Sequence, residues 1–87
     1  MSQVKFSPRW REELVAVSEE GVLVLELAMG TLHVYFPDEA CWLASVPAWA
    51  KGKRQFYLDA CSVWCKENKI PISVVNNTFV YEEKPAT

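Results

Sequence analysis

The residues of this chain with the widest chemical repertoire are three cysteines and one histidine. Cys61 and Cys65 stand four apart in the run ACSVWC (60–65), with Trp64 between them, and Cys41 and His33 lie upstream. Together the four would make a Cys3His zinc site, and an i,i+4 pair on one helix face can share a metal. Against this, the chain has no CxxC knuckle, and the alternation around His33 puts it on the less apolar face of its strand. A redox pair needs a lowered thiol pKa, which thioredoxin-like motifs obtain from cysteines three apart at a helix N-terminus. Here the pair falls near a helix C-terminus, whose partial negative charge raises a thiol pKa. A regular helix also holds an i,i+4 pair out of disulfide geometry. A nucleophilic cysteine is a third chemistry, with Cys41 near the start of a short helix and His33 as its base. The remaining reading is packing. Free cysteine behaves as a small hydrophobe and is among the most buried residue types. Cys61 lies between Tyr57 and Trp64 inside an apolar helical arc. The sequence therefore predicts core cysteines, with no cofactor, no metal and no catalytic residue. A small thiol-dependent enzyme or a zinc-stabilised domain using Cys41, Cys61, Cys65 and His33 is the alternative.

Other constellations carry less chemistry. The acidic pairs Glu12–Glu13, Glu19–Glu20, Asp38–Glu39 and Glu82–Glu83 are adjacent in sequence. Neighbours on a strand or turn point apart, so they do not form carboxylate dyads. No nucleophile elbow, P-loop or glycine-rich dinucleotide loop is present. The segment WAKGKRQFY (49–57) clusters Lys51, Lys53 and Arg54 with Trp49, Phe56 and Tyr57 at the start of a long helix. Free N–H groups point the same way, so an anion or an acidic partner fits there.

Composition narrows the class. The chain has 87 residues, enough for one domain, with a short lead-in at about 1–11 and a tail at about 84–87. It is 51% hydrophobic and carries four Trp, four Phe and three Tyr. So small an interior cannot take so many large side chains, so some must be exposed or lie at an interface. The net charge of −2 lacks the basic field of nucleic-acid binding, which makes nucleic acid an unexpected partner. No apolar run approaches the ~18–20 residues of a transmembrane helix, and the start lacks a signal peptide's apolar stretch, so a cytoplasmic protein with reduced thiols is expected.

The elements that must position these groups are legible in the periodicities. The runs 13–17 and 22–28 are separated by SEEG (18–21), where Gly21 is free to take a positive φ. A third run, 31–36, follows Gly30. The three read as an antiparallel meander. Leu23, Leu25 and Leu27 share one face, as do Leu32, Val34 and Phe36, opposite His33 and Tyr35. One apolar and one mixed face imply helices on one side, and the valines and tyrosine of the mixed face allow partial cover there too. Residues 1–11 read as irregular, with Phe6 and Trp10 as anchors. Residues 38–45 form a short helix capped by Asp38 and closed by Pro47. A longer helix spans about 48–68, with Gln55, Asp59, Ser62, Lys66 and Lys69 as its polar stripe. Its apolar arc exceeds what packing on a sheet needs, so the short helix or another subunit must cover the second flank. Asn68 is expected to adopt the left-handed terminal conformation before Pro71. Strands at 72–75 and 78–83 flank Asn76–Asn77, a hairpin turn unless the two form one bent strand. The order is β-β-β-α-α-β(-β), an α+β domain with an antiparallel sheet on a short and a long helix.

The function that follows is a non-enzymatic interaction module that binds itself, as a homodimer, or a second protein. Its expected anchors are Trp42, Trp49, Tyr57 and Trp64, because Trp and Tyr supply large area at low entropy cost. Lys53 and Arg54 would steer an acidic partner.

Overall fold

The computed structural model of the chain describes residues 4–9 and 12–83. Its elements follow in the order β1 (Lys5–Arg9), β2 (Glu13–Val17), β3 (Val22–Ala28), β4 (His33–Pro37), α1 (Glu39–Ser45), a 3-10 segment (Ala48–Lys53) continuing into α2 (Arg54–Glu67), β5 (Ile72–Val75) and β6 (Tyr81–Glu83). The fold is α+β, as the sequence implies. All six strands belong to one mixed sheet, ordered β1-β2-β3-β4-β5, with β6 attached to β3.

The leucine alternation of β3 sets the inside of the sheet. Leu25 lies opposite Leu14, Leu23 opposite Ala16 and Leu27 opposite Val34. All six are buried, and with Phe36 they meet Trp42, Val46, Ala50, Tyr57, Cys61 and Cys65 from the helical layer. The opposite face holds Arg9, Glu13, Glu26, His33, Tyr35 and Tyr81 at the alternate positions, as the period of two requires.

Three expectations about the strands need correction. The meander has four strands, because Lys5–Arg9 pairs with β2 along its whole length instead of forming an irregular lead-in. Pro8 disguises it in sequence, since proline fits only an edge strand and β1 is an edge. Trp10 lies outside the described residues. The third run starts as a strand only at His33, with Leu32 left exposed. The two C-terminal strands do not form a hairpin across Asn76–Asn77. β5 runs parallel to β4, and β6 runs antiparallel to β3. A parallel partner needs a long crossover, and residues 38–71 with their helices supply it. β3 is paired along one edge by β2, while β4 at Glu26–Ala28 and β6 at Val22–Val24 divide the other.

Local chemistry explains the helix ends. Asp38 is extended and accepts the Cys41 backbone N–H at 2.9 Å, the N-cap read from sequence. At the end of α2 the left-handed residue is Lys69 (φ 57°), not Asn68. The Ile70 N–H bonds the Cys65 carbonyl at 2.9 Å and the Lys69 N–H bonds that of Lys66 at 3.3 Å. These are the two bonds of a Schellman motif, closed by burial of both Ile70 and Cys65. Gly21 does not take a positive φ. It is needed for space, since a Cβ there would stand 2.6 Å from Cζ2 of Trp49.

Two substitutions check these readings by urea unfolding. Gly21→Ala pushes Trp49 aside and lowers stability by about 1–3 kcal/mol. Lys69→Gly removes the left-handed cost of a Cβ and raises stability by about 1 kcal/mol.

Candidate functional site

The width of the α2 apolar arc decides where a site can form. Tyr57, Cys61 and Cys65 turn fully inward. The next residues round the helix, Phe56, Ala60 and Val63, then have no sheet beneath them. Phe56 is 42% and Val63 58% exposed. Beside them Phe6 of β1 packs against the core, its ring centroid 6.0 Å from that of Trp64 at 40°. Val4, Phe6, Phe56, Ala60, Val63, Trp64 and Glu67 line an open groove of about 350 Å³ between β1 and α2. Only Glu67 among them is ionic. The groove is thus an apolar surface with one charged rim.

The anchors named from sequence divide sharply. Trp64 lies in this groove. Trp42 and Tyr57, at 0% and 1% exposure, are core residues and not surface anchors. The Trp42 indole N–H bonds the Ala50 carbonyl at 2.9 Å, and its ring stacks on Phe36 at 5.6 Å. The Tyr57 hydroxyl and the Ser18 Oγ share a 3.0 Å hydrogen bond. Trp49 is half-buried against Gly21, and its indole N–H donates to Glu82 at 2.9 Å. Lys53 pairs with Glu20. Arg54 donates to the Pro37 carbonyl at 3.1 Å and lies over the Phe36 ring. Both cations thus hold the 3-10 segment and α2 to the sheet. Val63 and Val4 are not among the sequence candidates, and Phe56 enters there only as part of the basic segment 49–57. The signal for the helical pair was the excess width of the arc, and Val4 was hidden by the irregular reading of β1.

The cysteine and histidine set does not converge. All three cysteines are free and buried. Cys41 Sγ donates to the Asn76 carbonyl at 3.2 Å, whereas His33 Nε2 meets Ser73 Oγ at 2.8 Å on the opposite face of the sheet. Among the described residues no group of three or more His, Cys, Asp or Glu side chains could hold a metal. Burial raises the pKa of Cys61 strongly, with neighbouring Cys65 adding to the effect, and burial also raises that of Cys65. Cys41 is raised first by burial and then by the Asp38 carboxylate that caps its own helix. The helix N-terminus does not make Cys41 a thiolate, because burial and, after it, the anion that caps the helix both oppose ionisation.

A second depression lies on the face of the sheet opposite the helices, where Val15 and Val24 are nonetheless buried, between β2, β3 and residues 77–81; Glu12, Glu13, Glu26, Thr78 and Tyr81 are among its lining. Two of its carboxylates, Glu13 and Glu26, are engaged. Arg9 bonds Glu13 at 2.7 Å and Glu83 at 2.8 Å, Tyr81 donates to Glu13, and Thr78 donates to Glu26 at 2.7 Å. Arg9 lowers the pKa of Glu83, while Glu13 raises that of Tyr81. The adjacent Glu82 and Glu83 part to opposite sides, toward Trp49 and Arg9.

Compared with protein-family models, curated proteins and solved structures, the chain matches none of them. Among the described residues no helix is long and apolar enough to cross a membrane.

Two outcomes follow for the thiols. A bulky disulfide reagent at pH 8 should modify Cys61 and Cys65 at the rate of global unfolding, and fast labelling of the native chain would contradict their burial. Their folded pKa values lie above the ordinary 9.0. Stability should therefore be intact below about pH 8.5 and fall as the pH rises further, because only the unfolded thiols ionise there. Unfolding midpoints from pH 7 to pH 10 check this, and Cys61→Ala with Cys65→Ala should flatten the decline.

Proposed function

We propose that this chain is a non-enzymatic protein-interaction module that docks its partner in the groove between β1 and α2. One observation carries the proposal: Phe56 and Val63 are exposed beside Trp64, Phe6 and Val4 in a single apolar depression. Scattered exposed apolar residues are ordinary, whereas a contiguous concave cluster is the pattern of an interface. Trp64 serves as the central anchor, with Phe56 and Val63 as the rest of the contact surface.

The alternative, a thiol-dependent enzyme or zinc domain, draws no support from the separated partners of Cys41 and His33 or from the upward shift of every thiol. Nucleic acid is a poor candidate for the partner, since the net charge is −2 and Lys53 is engaged within the fold. The free thiols suit a reducing compartment, and we place the protein in the cytoplasm on that ground.

The test is affinity capture with the tagged full chain from its native source. A retained protein, whether another chain or an untagged copy, should be lost at least tenfold with Val63→Glu and kept with Leu43→Glu, an exposed position on α1 away from the groove. Retention indifferent to Val63→Glu removes the proposal.

A further inference from the structure

Resting on the docking reading above, we propose that the occupant of the groove is a second copy of this chain, bound by antiparallel packing of α2 against its own counterpart. The outward stripe of α2 is Phe56, Ala60, Val63 and Glu67, at spacings of four, three and four. That is the seam spacing of two helices crossing at a shallow angle. It also reads the same from either end. A two-fold axis that reverses the helix therefore sets Ala60 against the copy's Val63, and Phe56 against the aliphatic stem of the copy's Glu67. The small Ala60 side chain lets the two helices approach at the centre, and each ridge enters the other's groove. This is the self-complementary surface that a two-fold interface requires.

Charge supports the same geometry. Asp59 and Lys66 are exposed, stand seven apart, and lie on one flank of the stripe. Among the described residues neither has an ion-pair partner, and Asp59 only accepts a 2.8 Å hydrogen bond from Gln55. When antiparallel helices pack about a two-fold axis, this flank meets the same flank of the copy. Asp59 then faces the copy's Lys66, and Lys66 the copy's Asp59, so two opposite-charge pairs form at once. The other flank carries Trp64 and, beyond it, Phe6 of β1, which would meet their counterparts. Sheet extension is a poorer route, because Pro8 interrupts the free edge of β1.

Sedimentation equilibrium of the full chain, from about 1 to about 200 µM, reads the association, because a contact made largely by one helix per subunit is small and calls for high concentrations. The wild-type chain should be a reversible dimer. Val63→Glu should be monomeric throughout. Lys66→Asp should weaken the dimer about tenfold, and Asp59→Lys combined with Lys66→Asp should restore it. All three positions are exposed, and an unchanged circular dichroism spectrum establishes that each variant folds. A monomeric wild type at the highest concentration overturns the inference, as does a dimer indifferent to Val63→Glu or a charge swap that fails to restore pairing. A monomer that still captures a different protein through Val63 overturns the second copy and leaves the docking reading standing. A monomer that captures nothing overturns both.

Discussion

The burial of the Trp42 indole organises the helical layer of this domain. A large aromatic ring with one N–H donor can be taken fully out of water only where a carbonyl meets that donor, since an unpaired buried donor costs about 1–3 kcal/mol. The carbonyl is that of Ala50, so the 3-10 segment after α1 must turn Ala50 inward. That turn directs Trp49 the other way, against Gly21 and Glu82, and ties the β2–β3 turn to β6. The Phe36 ring stacks on one side of the indole and Tyr57 tilts against it at 5.7 Å, so β4, α1, the 3-10 segment and α2 converge on one side chain. The Tyr57 hydroxyl then reaches Ser18 at the same turn that Trp49 covers.

The surface follows from that choice. With Tyr57, Cys61 and Cys65 committed inward, α2 must present Phe56, Ala60 and Val63 outward, because all lie on one helix whose apolar arc exceeds what the sheet can cover. The edge strand β1 extends the apolar surface with Phe6. A small domain has little freedom to hide such a surplus, and here it collects in one concavity instead of scattering. Two of the basic residues that precede it serve as structural ties: Lys53 to Glu20 at the surface, and Arg54 to Pro37 and the Phe36 ring.

The cysteines show how spacing can suggest chemistry that burial withdraws. An i,i+4 thiol pair can share a metal or a redox step only if a third group or a lowered pKa is at hand. Burial pushes these thiols upward, and the sole histidine is spent on Ser73 across the sheet. Cys61 and Cys65 fill volume in the core.

Features that depend on near neighbours are legible in the chain. The period of two placed Leu23, Leu25 and Leu27 on the inner face and His33 with Tyr35 on the outer. Asp38 marked the start of α1, and the width of the α2 arc announced an exposed apolar flank. Each signal is carried by side chains within a few positions of one another. Packing between distant segments settles which aromatics enter the core, that β1 tolerates Pro8 by lying at an edge, and that β5 and β6 join β4 and β3 instead of each other. Strand pairing is settled by burial and hydrogen bonds between segments distant in the chain, and Asn76–Asn77 looks the same locally whether the chain folds back on itself or crosses to another strand. The same holds for Trp42 and Trp64. Both are tryptophans in apolar helical settings, and only the position of the sheet beneath them makes one a core residue and leaves the other in the groove.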